Sequence, residues 1–464
     1  MTALPPPTPA ADAARRTLFL AWLTRGLLGV AGLLFVGHAV AFAPQLAKLP
    51  GQFDFTVYAR AGRALAAGTP LYDVGFNGCP YVYPPAFAAM FRFCALMPMR
   101  VASWIWLSID LACLGVSLRL LLPFGRFSTR SRAAAAALLI ALSPPVLRTL
   151  ALGQINLVLL LLLSLALALS KRPRPSVATE SLVGALLGVA VMIKVYPAVY
   201  ALALANGRRH RALMAMGTTL VALGLFGVAF GGGWENTRLY VFQILPNMSA
   251  RLGDMRVYPE NQSLAAVLAR SFRLHDFELS YRGDAISRRV SPYRQSPQIA
   301  RIGTLAGAVL IGIGTFVAVR RHRRRGNERE GFAADCAVLT AAVLLVSPVV
   351  WDHYYVMLAI PALIVWGNAS PRSSALRLGV AGVALFVGAQ SFWAVPLAIH
   401  PSPVVTMLGF TAVTLMWGAA LGLCAGAPVK KSRGIQLVVN RAVETRGEGN
   451  GLAVAPSRVT SATT

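Results

Sequence analysis

The sequence predicts an all-α integral membrane protein that crosses the bilayer many times. Of its 464 residues, 56% are hydrophobic and only 13% are charged, and the mean hydropathy is +0.60. A soluble domain carries roughly 25% charged residues. The apolar residues also fall in long blocks, and about 20 helical residues are enough to cross the hydrocarbon core.

Six of these blocks are nearly free of charge, and several are long enough to span a membrane. They are Leu18–Ala43, Trp104–Leu122, Leu157–Leu169, Thr218–Phe230, Ile302–Val319 and Val404–Leu423. Soluble folds do not bury this much apolar surface, so the blocks predict transmembrane helices.

The net charge of +27 is spread over short basic clusters between the apolar blocks. These clusters are Arg126/Arg130/Arg132, Lys171/Arg172/Arg174, Arg208/Arg209/Arg211, Arg320–Arg325 and Lys430/Lys431/Arg433. Lys and Arg in short loops remain on the cytoplasmic side and so orient the helices. A single basic face, which would indicate a nucleic acid partner, is not what this pattern predicts.

Composition also divides the chain into three regions. We expect residues 1–16 to be a disordered cytoplasmic N-terminus without a cleavable signal, residues 17–425 to form the membrane domain, and residues 426–464 to be a disordered cytoplasmic tail. The five cysteines are scattered without zinc-site spacing, so neither a metal site nor a disulfide framework is predicted.

Placing the basic clusters in the cytoplasm predicts about twelve transmembrane helices, with both termini inside. The outer loops are residues 44–84 and 231–300, and we expect short helices within them. Pro85–Pro98 is interpreted as an outer-face or re-entrant helix. Two further hairpins place their outer turns at Arg148–Asn156 and Trp351–His353, and a last pair lies near Leu378–Trp393 and Val404–Leu423.

The apolar stretch Leu182–Ala205 lies between two basic clusters that both belong in the cytoplasm. It must therefore cross outward and return as two short helices. Proline lacks an N–H, and the residue before it disfavours the helical conformation, so we place the break near Lys194–Pro197.

The polar residues that most need an explanation all fall on the outer side of this topology. They are Asp54, Tyr83, Gln154, Asn156, Lys194, the run Glu260-Asn261-Gln262, and Asp352/His353. Ionisable groups at membrane depth are costly and usually functional. We therefore expect one site at the outer membrane surface.

Three of these residues, Asp54, Lys194 and His353, each allow two interpretations. Asp54 is either a general base, since desolvation raises the pKa of a carboxylate, or the N-cap of a helix starting near Val57. Lys194 either binds a phosphate at the helix break or extends its ammonium toward the interface. His353 either donates to a phosphate or sugar, or forms a structural pair with Asp352.

The amides of Gln154 and Asn156 either bind sugar hydroxyls or satisfy free backbone groups at helix ends. Trp351 offers an aromatic face to a pyranose ring, whereas Tyr83 is also consistent with an ordinary interfacial aromatic residue. Asp110, in the middle of a helix, is interpreted as a partner in interhelical hydrogen bonding.

The order of these motifs resembles glycosyltransferase family 87 of the GT-C superfamily, some of whose members are polyprenyl-phosphate-mannose-dependent α-mannosyltransferases. The resemblance runs from about Leu18 to Leu423. The motifs are the Asp54 loop, Tyr83-Pro84-Pro85, Gly153-Gln154-Ile155-Asn156, Lys194 with Tyr196-Pro197, Asn261-Gln262-Ser263, and Ser347-Pro348 with Trp351-Asp352-His353-Tyr354.

The resemblance implies a GT-C-type enzyme of the bacterial inner membrane that transfers a hexose, with mannose favoured, from a polyprenyl-phosphate donor to a lipid or glycan acceptor. It implies inversion at the periplasmic face without a metal or cofactor. Asp54 matches the general base, and Lys194 and His353 match positions near the donor phosphate, with Arg256 as a further cation. The sugar- or acceptor-binding residues are expected to be Tyr83, Gln154, Asn156, Asn261, Gln262, Trp351 and Asp352.

Two other classes of protein compete with this hypothesis. A secondary transporter or flippase for a lipid-linked or anionic solute would also use broken helices, but its site would lie near the midplane between repeats. The sequence shows no such repeat, and its polar groups gather on one side. A non-catalytic scaffold for envelope assembly would have no use for the outer polar cluster.

Overall fold

A computed structural model describes residues 52–76, 79–172, 175–251, 257–258, 260–272, 275–281, 284–290, 295–324, 328–369, 373–374, 376–383 and 407–425. The predicted first helix Leu18–Ala43, both predicted disordered ends, Arg256 and most of Leu378–Trp393 lie outside these residues.

The described residues are mostly helical. The α-helices are α1 Phe53–Ala67, α2 Pro85–Met90, α3 Met99–Leu121, α4 Arg130–Ala141, α5 Pro144–Leu152, α6 Asn156–Ser170, α7 Val177–Ile193, α8 Tyr200–Asn206, α9 His210–Phe230, α10 Gly233–Leu239, α11 Met248–Arg251, α12 Leu264–Phe272, α13 Pro297–Arg324, α14 Glu328–Val346, α15 Ala359–Asn368 and α16 Leu408–Ala425.

Two antiparallel hairpins accompany the helices, and both lie within the predicted outer loops. Strand β1 (Gly75–Phe76) pairs with β2 (Cys79–Pro80), and β3 (His275–Tyr281) pairs with β4 (Asp284–Val290). The loop of residues 231–300 also holds α10, α11, α12 and a π-helical turn at Tyr240–Ile244. The predicted loop helices are present, and the strands are an addition to the all-α prediction.

Among the residues that the structure describes, three helices are long and apolar enough to cross a membrane, namely Met99–Gly125, His210–Phe230 and Pro297–Arg321. Helices α4 and α5 make a fourth span if they are counted together, although they are bent by 48°. Beyond its basic start, α9 exposes mainly apolar side chains, and Met214 is 72% exposed, as lipid-facing surfaces require. The chain is membrane-integral, whereas the predicted count of twelve helices is not confirmed by the described residues.

The predicted helix break at Lys194 is present. Helix α7 ends at Ile193, Lys194 adopts an extended conformation, and a 3₁₀ helix at Tyr196–Val199 leads into α8. Helix α7 begins at Val177, five residues before the predicted apolar stretch, because the Ser176 hydroxyl caps it by accepting a hydrogen bond from the Thr179 N–H at 3.2 Å.

The predicted turn Arg148–Asn156 is too long. The break in this region falls at Leu142–Ser143, where the proline pair at the start of α5 favours a new helix. Helix α5 then continues through Arg148 to Leu152, and the turn is only Gly153–Ile155. Gly153 has φ +66°, a conformation that glycine adopts without strain.

The turn predicted at Trp351–His353 lies a few residues earlier in the structure, at residues 347–351. Helix α14 ends at Val346, and a 3₁₀ helix already starts at Asp352. Trp351 therefore precedes the new helix and forms a β-bridge with Asn261.

Helix α1 is positioned by an aromatic core. Phe55 stacks on Trp106 with ring centroids 5.7 Å apart, and the Tyr58 ring meets Phe87 and Phe91 at 5.1 Å and 5.4 Å. Gly62 allows α1 to approach the Phe91 carbonyl so closely that a Cβ at this position would clash. This packing fixes the start of α1, including Asp54, against α3.

Candidate active site

A cavity of about 390 Å³ brings together residues that are far apart in the sequence. Five of the predicted site residues line it: Asp54, Tyr83, Gln154, Lys194 and Trp351. The rest of its wall is largely apolar and aromatic.

Asp54 lies in the first turn of α1, which begins at Phe53 with Gln52 as the N-cap. The interpretation of Asp54 as an N-cap for a helix starting near Val57 is therefore wrong. Burial raises the pKa of Asp54 above its usual value, while His353, a hydrogen bond from Gln154, Lys194 and Arg148 act to lower it. A carboxyl group with a raised pKa is suited to accept a proton near neutral pH.

Gln154 connects the carboxylate to the cationic side of the cavity. Its Oε1 accepts hydrogen bonds from the Tyr58 hydroxyl at 3.1 Å and from Lys194 Nζ at 3.4 Å. A carboxylate only accepts hydrogen bonds, so the bond between Gln154 and Asp54 uses the Gln154 amide as donor. The Tyr58 hydroxyl also lies 3.0 Å from that of Tyr83.

Lys194 is buried, with 8% exposure. Its Nζ donates to Asn156 Oδ1 at 2.8 Å and lies 3.7 Å from the centre of the Tyr354 ring. Within the described part of the chain, no carboxylate forms an ion pair with it. A buried ammonium surrounded by neutral acceptors is available for an anionic ligand.

Behind the cavity, Arg148 lies between two carboxylates. Its Nη1 is 3.0 Å from Asp352 Oδ2, and its Nη2 is 3.8 Å from Glu260 Oε1. Asp352 Oδ1 accepts a hydrogen bond from the His353 backbone N–H at 2.7 Å and lies 3.4 Å from His353 Nδ1. Asp352 is thus held by this cluster and is not among the residues that line the cavity.

His353 is 5% exposed, and its Nε2 has no hydrogen-bond partner among the described residues. Burial lowers the pKa of His353, against the opposing effect of Asp352. The His353 ring centroid lies 5.1 Å from that of Tyr354, the ring that Lys194 Nζ also contacts.

The three remaining predicted residues contact backbone groups. Asn156 Nδ2 donates to the His353 carbonyl at 3.1 Å, Asn261 Oδ1 accepts from the Val350 N–H at 3.0 Å, and Gln262 Oε1 accepts from the Phe410 N–H at 3.0 Å. None of the three lines the cavity. These contacts position Lys194 and the segment around Trp351, and direct sugar binding by these amides stays a prediction.

Sequence reasoning did not assign a role to Arg148, Tyr58, Tyr196 or Tyr354. The last three line the cavity. An available signal for Tyr58 was its spacing of four residues from Asp54, which places both on one helix face. The signal for Arg148 was an ionisable residue within an apolar helix.

Within the described residues, no three His, Cys, Asp or Glu side chains are grouped closely enough to hold a metal ion.

The chain is similar to two mycobacterial enzymes, each named polyprenol-phosphate-mannose-dependent alpha-(1-2)-phosphatidylinositol mannoside mannosyltransferase. It is 27% identical over 394 residues to the one from Mycolicibacterium smegmatis, covering 79% of this chain and 81% of that one. It is 29% identical over 402 residues to the one from Mycobacterium tuberculosis, covering 80% and 82%.

A structural similarity is also found to the crystal structure of ArnT from Cupriavidus metallidurans bound to undecaprenyl phosphate. It covers 85% of this chain and 77% of that chain, with 16% identity and a TM-score of 0.36. The sequence model of glycosyltransferase family 87 matches residues 81–348, which is more than half of the chain. The protein is therefore a membrane glycosyltransferase that belongs to family 87.

Proposed function

We propose that the protein transfers mannose from polyprenyl-phosphate mannose to a lipid or glycan acceptor, with inversion, at the periplasmic membrane surface. Two relatives that align over most of this chain carry names that specify this donor. The observation that carries the proposal is one cavity lined by both the Asp54 carboxylate and the Lys194 ammonium, joined through Gln154.

Asp54 is the general base in this mechanism. The acceptor hydroxyl attacks C1 of the mannosyl group, and its proton passes to the Asp54 carboxylate as the new C–O bond forms. The C1–O bond to the phosphate breaks, and the electron pair leaves with polyprenyl phosphate. A positioned base contributes roughly 10²–10⁴-fold to such a step.

Lys194 stabilises the charge that develops on the departing phosphate. A preorganised cation in a water-poor site acts strongly on such charge, and Lys194 forms no ion pair among the described residues that would weaken it. His353 contacts the same Tyr354 ring as Lys194 and is the second candidate donor to the phosphate. Arg256 stays a prediction, because it lies outside the described residues.

The walls of the cavity suit a lipid-linked donor. Leu245, Pro246 and Met248 form one side, next to the π-helical turn Tyr240–Ile244. Such turns occur often at functional sites. An apolar wall beside a cationic group matches a prenyl chain attached to a phosphate.

The test compares wild type with Asp54→Asn in detergent, using radiolabelled polyprenyl-phosphate mannose and a mycobacterial phosphatidylinositol mannoside fraction. We expect the variant to lose at least about 100-fold in kcat, because the base is removed. Glu235→Gln is the control, since this carboxylate lies in the other predicted outer loop, is 61% exposed and is paired with Arg238. Full transfer by Asp54→Asn would show that Asp54 is not the general base.

The same assay separates the enzyme from a transporter or flippase. Detergent micelles have no compartments, so a transporter forms no covalent product in them. Appearance of a mannosylated lipid with wild type supports the transferase, and its absence with both mannose and other polyprenyl-phosphate hexoses contradicts it.

A further inference from the structure

A second cavity, of about 680 Å³, lies directly beside the first. Its wall consists of Tyr72–Phe76, Cys79 and Pro80, together with Arg60 from α1 and Arg251 from α11. Cys79 and Pro80 line both cavities. Strand β2 is therefore a wall that the two cavities share.

The second cavity differs from the first in its charge. Its lining contains two arginines and a single carboxylate, Asp73. Neither arginine forms an ion pair with any residue that the structure describes. Counted over the described residues, the lining therefore carries a net positive charge, which favours an anionic ligand.

Both arginines are exposed, and each guanidinium contacts neighbouring groups of the cavity wall. Arg60 Nη1 donates to the Gly75 carbonyl at 2.9 Å, and its guanidinium carbon lies 4.7 Å from the centre of the Phe76 ring. Arg251 Nη2 donates to the Tyr72 carbonyl at 3.5 Å. Each guanidinium keeps further N–H groups, and its planar fork matches the oxygens of a phosphate.

The location relates this cavity to the reaction. Arg60 follows Asp54 by six residues on α1, which corresponds to about 9 Å along the helix axis. When the donor occupies the apolar cavity, the acceptor approaches Asp54 from the side of the β1–β2 hairpin. An anion held by Arg60 and Arg251 would belong to the same acceptor molecule whose hydroxyl reaches Asp54.

We infer that the second cavity binds the phosphodiester of an anionic glycolipid acceptor, and this inference rests on the proposed transferase function. The acceptor is held at two points: its phosphodiester at the two arginines and its reacting hydroxyl at Asp54. Acceptors without the charged group bind weakly for lack of the first contact.

The binding test uses radiolabelled phosphatidylinositol retained by the full-length protein in detergent. Glycerophosphoinositol, which keeps the phosphodiester, should displace the lipid, whereas neutral inositol and the carboxylate glucuronate should not. We expect Arg60→Gln and Arg251→Gln each to weaken retention about ten-fold. Arg60→Lys and Arg251→Lys, which keep the charge but lose the planar fork, should each weaken retention less than the corresponding glutamine variant.

Arg100→Gln is the matched control, because Arg100 is an exposed arginine at the start of α3 that lines neither cavity. Equal retention by wild type and both glutamine variants overturns the inference, as does displacement by inositol. Displacement by glucuronate as strong as that by glycerophosphoinositol overturns the phosphodiester assignment.

A transfer assay keeps the two proposals distinguishable. Arg60→Gln should raise KM for phosphatidylinositol mannoside about ten-fold and leave KM for the donor and for an uncharged alkyl mannoside unchanged. An equal rise for both acceptors contradicts the inference. Specific lipid retention without any transfer by wild type would uphold the anion site and contradict the transferase function.

Discussion

At the Asp54 carboxylate, burial and local charge act in opposite directions. Burial raises the pKa, and His353, Gln154, Lys194 and Arg148 counteract it. Asp54 must be ionised to accept a proton from the acceptor. Activity should therefore fall as the pH falls through the raised pKa of Asp54, and residues that lower this pKa extend activity to lower pH.

Gln154 offers a direct test of this balance. Gln154→Ala removes the hydrogen bond that lowers the pKa of Asp54, so the acid limb of the pH profile of kcat/KM should move to higher pH. Since a hydrogen bond to a charged group contributes about 1.5–3 kcal/mol, we also expect roughly a ten-fold or larger loss of rate on the acid limb. Gln243→Ala, at an exposed position, is the control. An unshifted acid limb would show that Gln154 does not act through Asp54.

At the scale of elements, the site residues lie at a turn, at a helix break and at the start of a helix. The turn between α5 and α6 presents Gln154, the break after α7 presents Lys194, and the start of α1 presents Asp54. Each of these segments contacts another element. At the turn, for example, Trp106 Nε1 of α3 donates to the Gly153 carbonyl at 2.8 Å. The site therefore depends on how these elements pack against one another.

The turn at Gly153 makes that dependence measurable. Gly153 and Gly68 have nearly the same φ, +66° and +69°, but a Cβ on Gly153 would lie 2.7 Å from Phe55 Cβ, whereas a Cβ on Gly68 would meet nothing within 4 Å. Gly68→Ala should lower the free energy of unfolding by about 1–2 kcal/mol, the cost of the left-handed backbone.

Gly153→Ala should cost more than Gly68→Ala, because it adds a clash to the same backbone strain, and it should also reduce transfer. The measurement is thermal unfolding of both variants in detergent, together with their rates. Equal destabilisation, or full activity of Gly153→Ala, would show that packing against α1 does not fix this turn.

For the whole molecule, the bilayer determines which surfaces are apolar. Helix α9 exposes Val221 and Leu225 at 65% each, which only a lipid environment makes favourable. The basic cluster at the start of α9 and the carboxylate of Glu235 lie at opposite ends of this helix and its continuation into α10. The proposed orientation therefore places Glu235 outside and Arg211 inside.

Cysteine labelling in intact cells tests the orientation. A membrane-impermeant maleimide should label Glu235→Cys and not Arg211→Cys, and both should react after the cells are opened. The background from native cysteines should be low, because four are buried and burial raises the pKa of Cys79 to about 12, which suppresses the reactive thiolate. Labelling of Arg211→Cys alone in intact cells would reverse the proposed topology.

The sequence predicted several local features well, because they depend on neighbouring residues. Pro197, which follows Lys194 by three residues and lacks an N–H, predicted the helix break, and the structure confirms this break. The bounds were less accurate where a capping residue decides them. The Ser176 cap starts α7 early. Helix α1 starts at Phe53, so Asp54 lies in its first turn and not at its N-cap.

By itself, the amino-acid sequence determined that this is a helical membrane protein and which polar residues share the outer side of the predicted topology, because lipid solvation and loop charge act on local composition. Tertiary structure alone decided which of them meet. Asp54, Gln154 and Lys194 share one cavity, while Asn261 and Gln262 bind backbone groups outside it. The physical reason is that contacts between residues distant in sequence follow from helix packing. That packing depends jointly on the shapes of side chains at many positions.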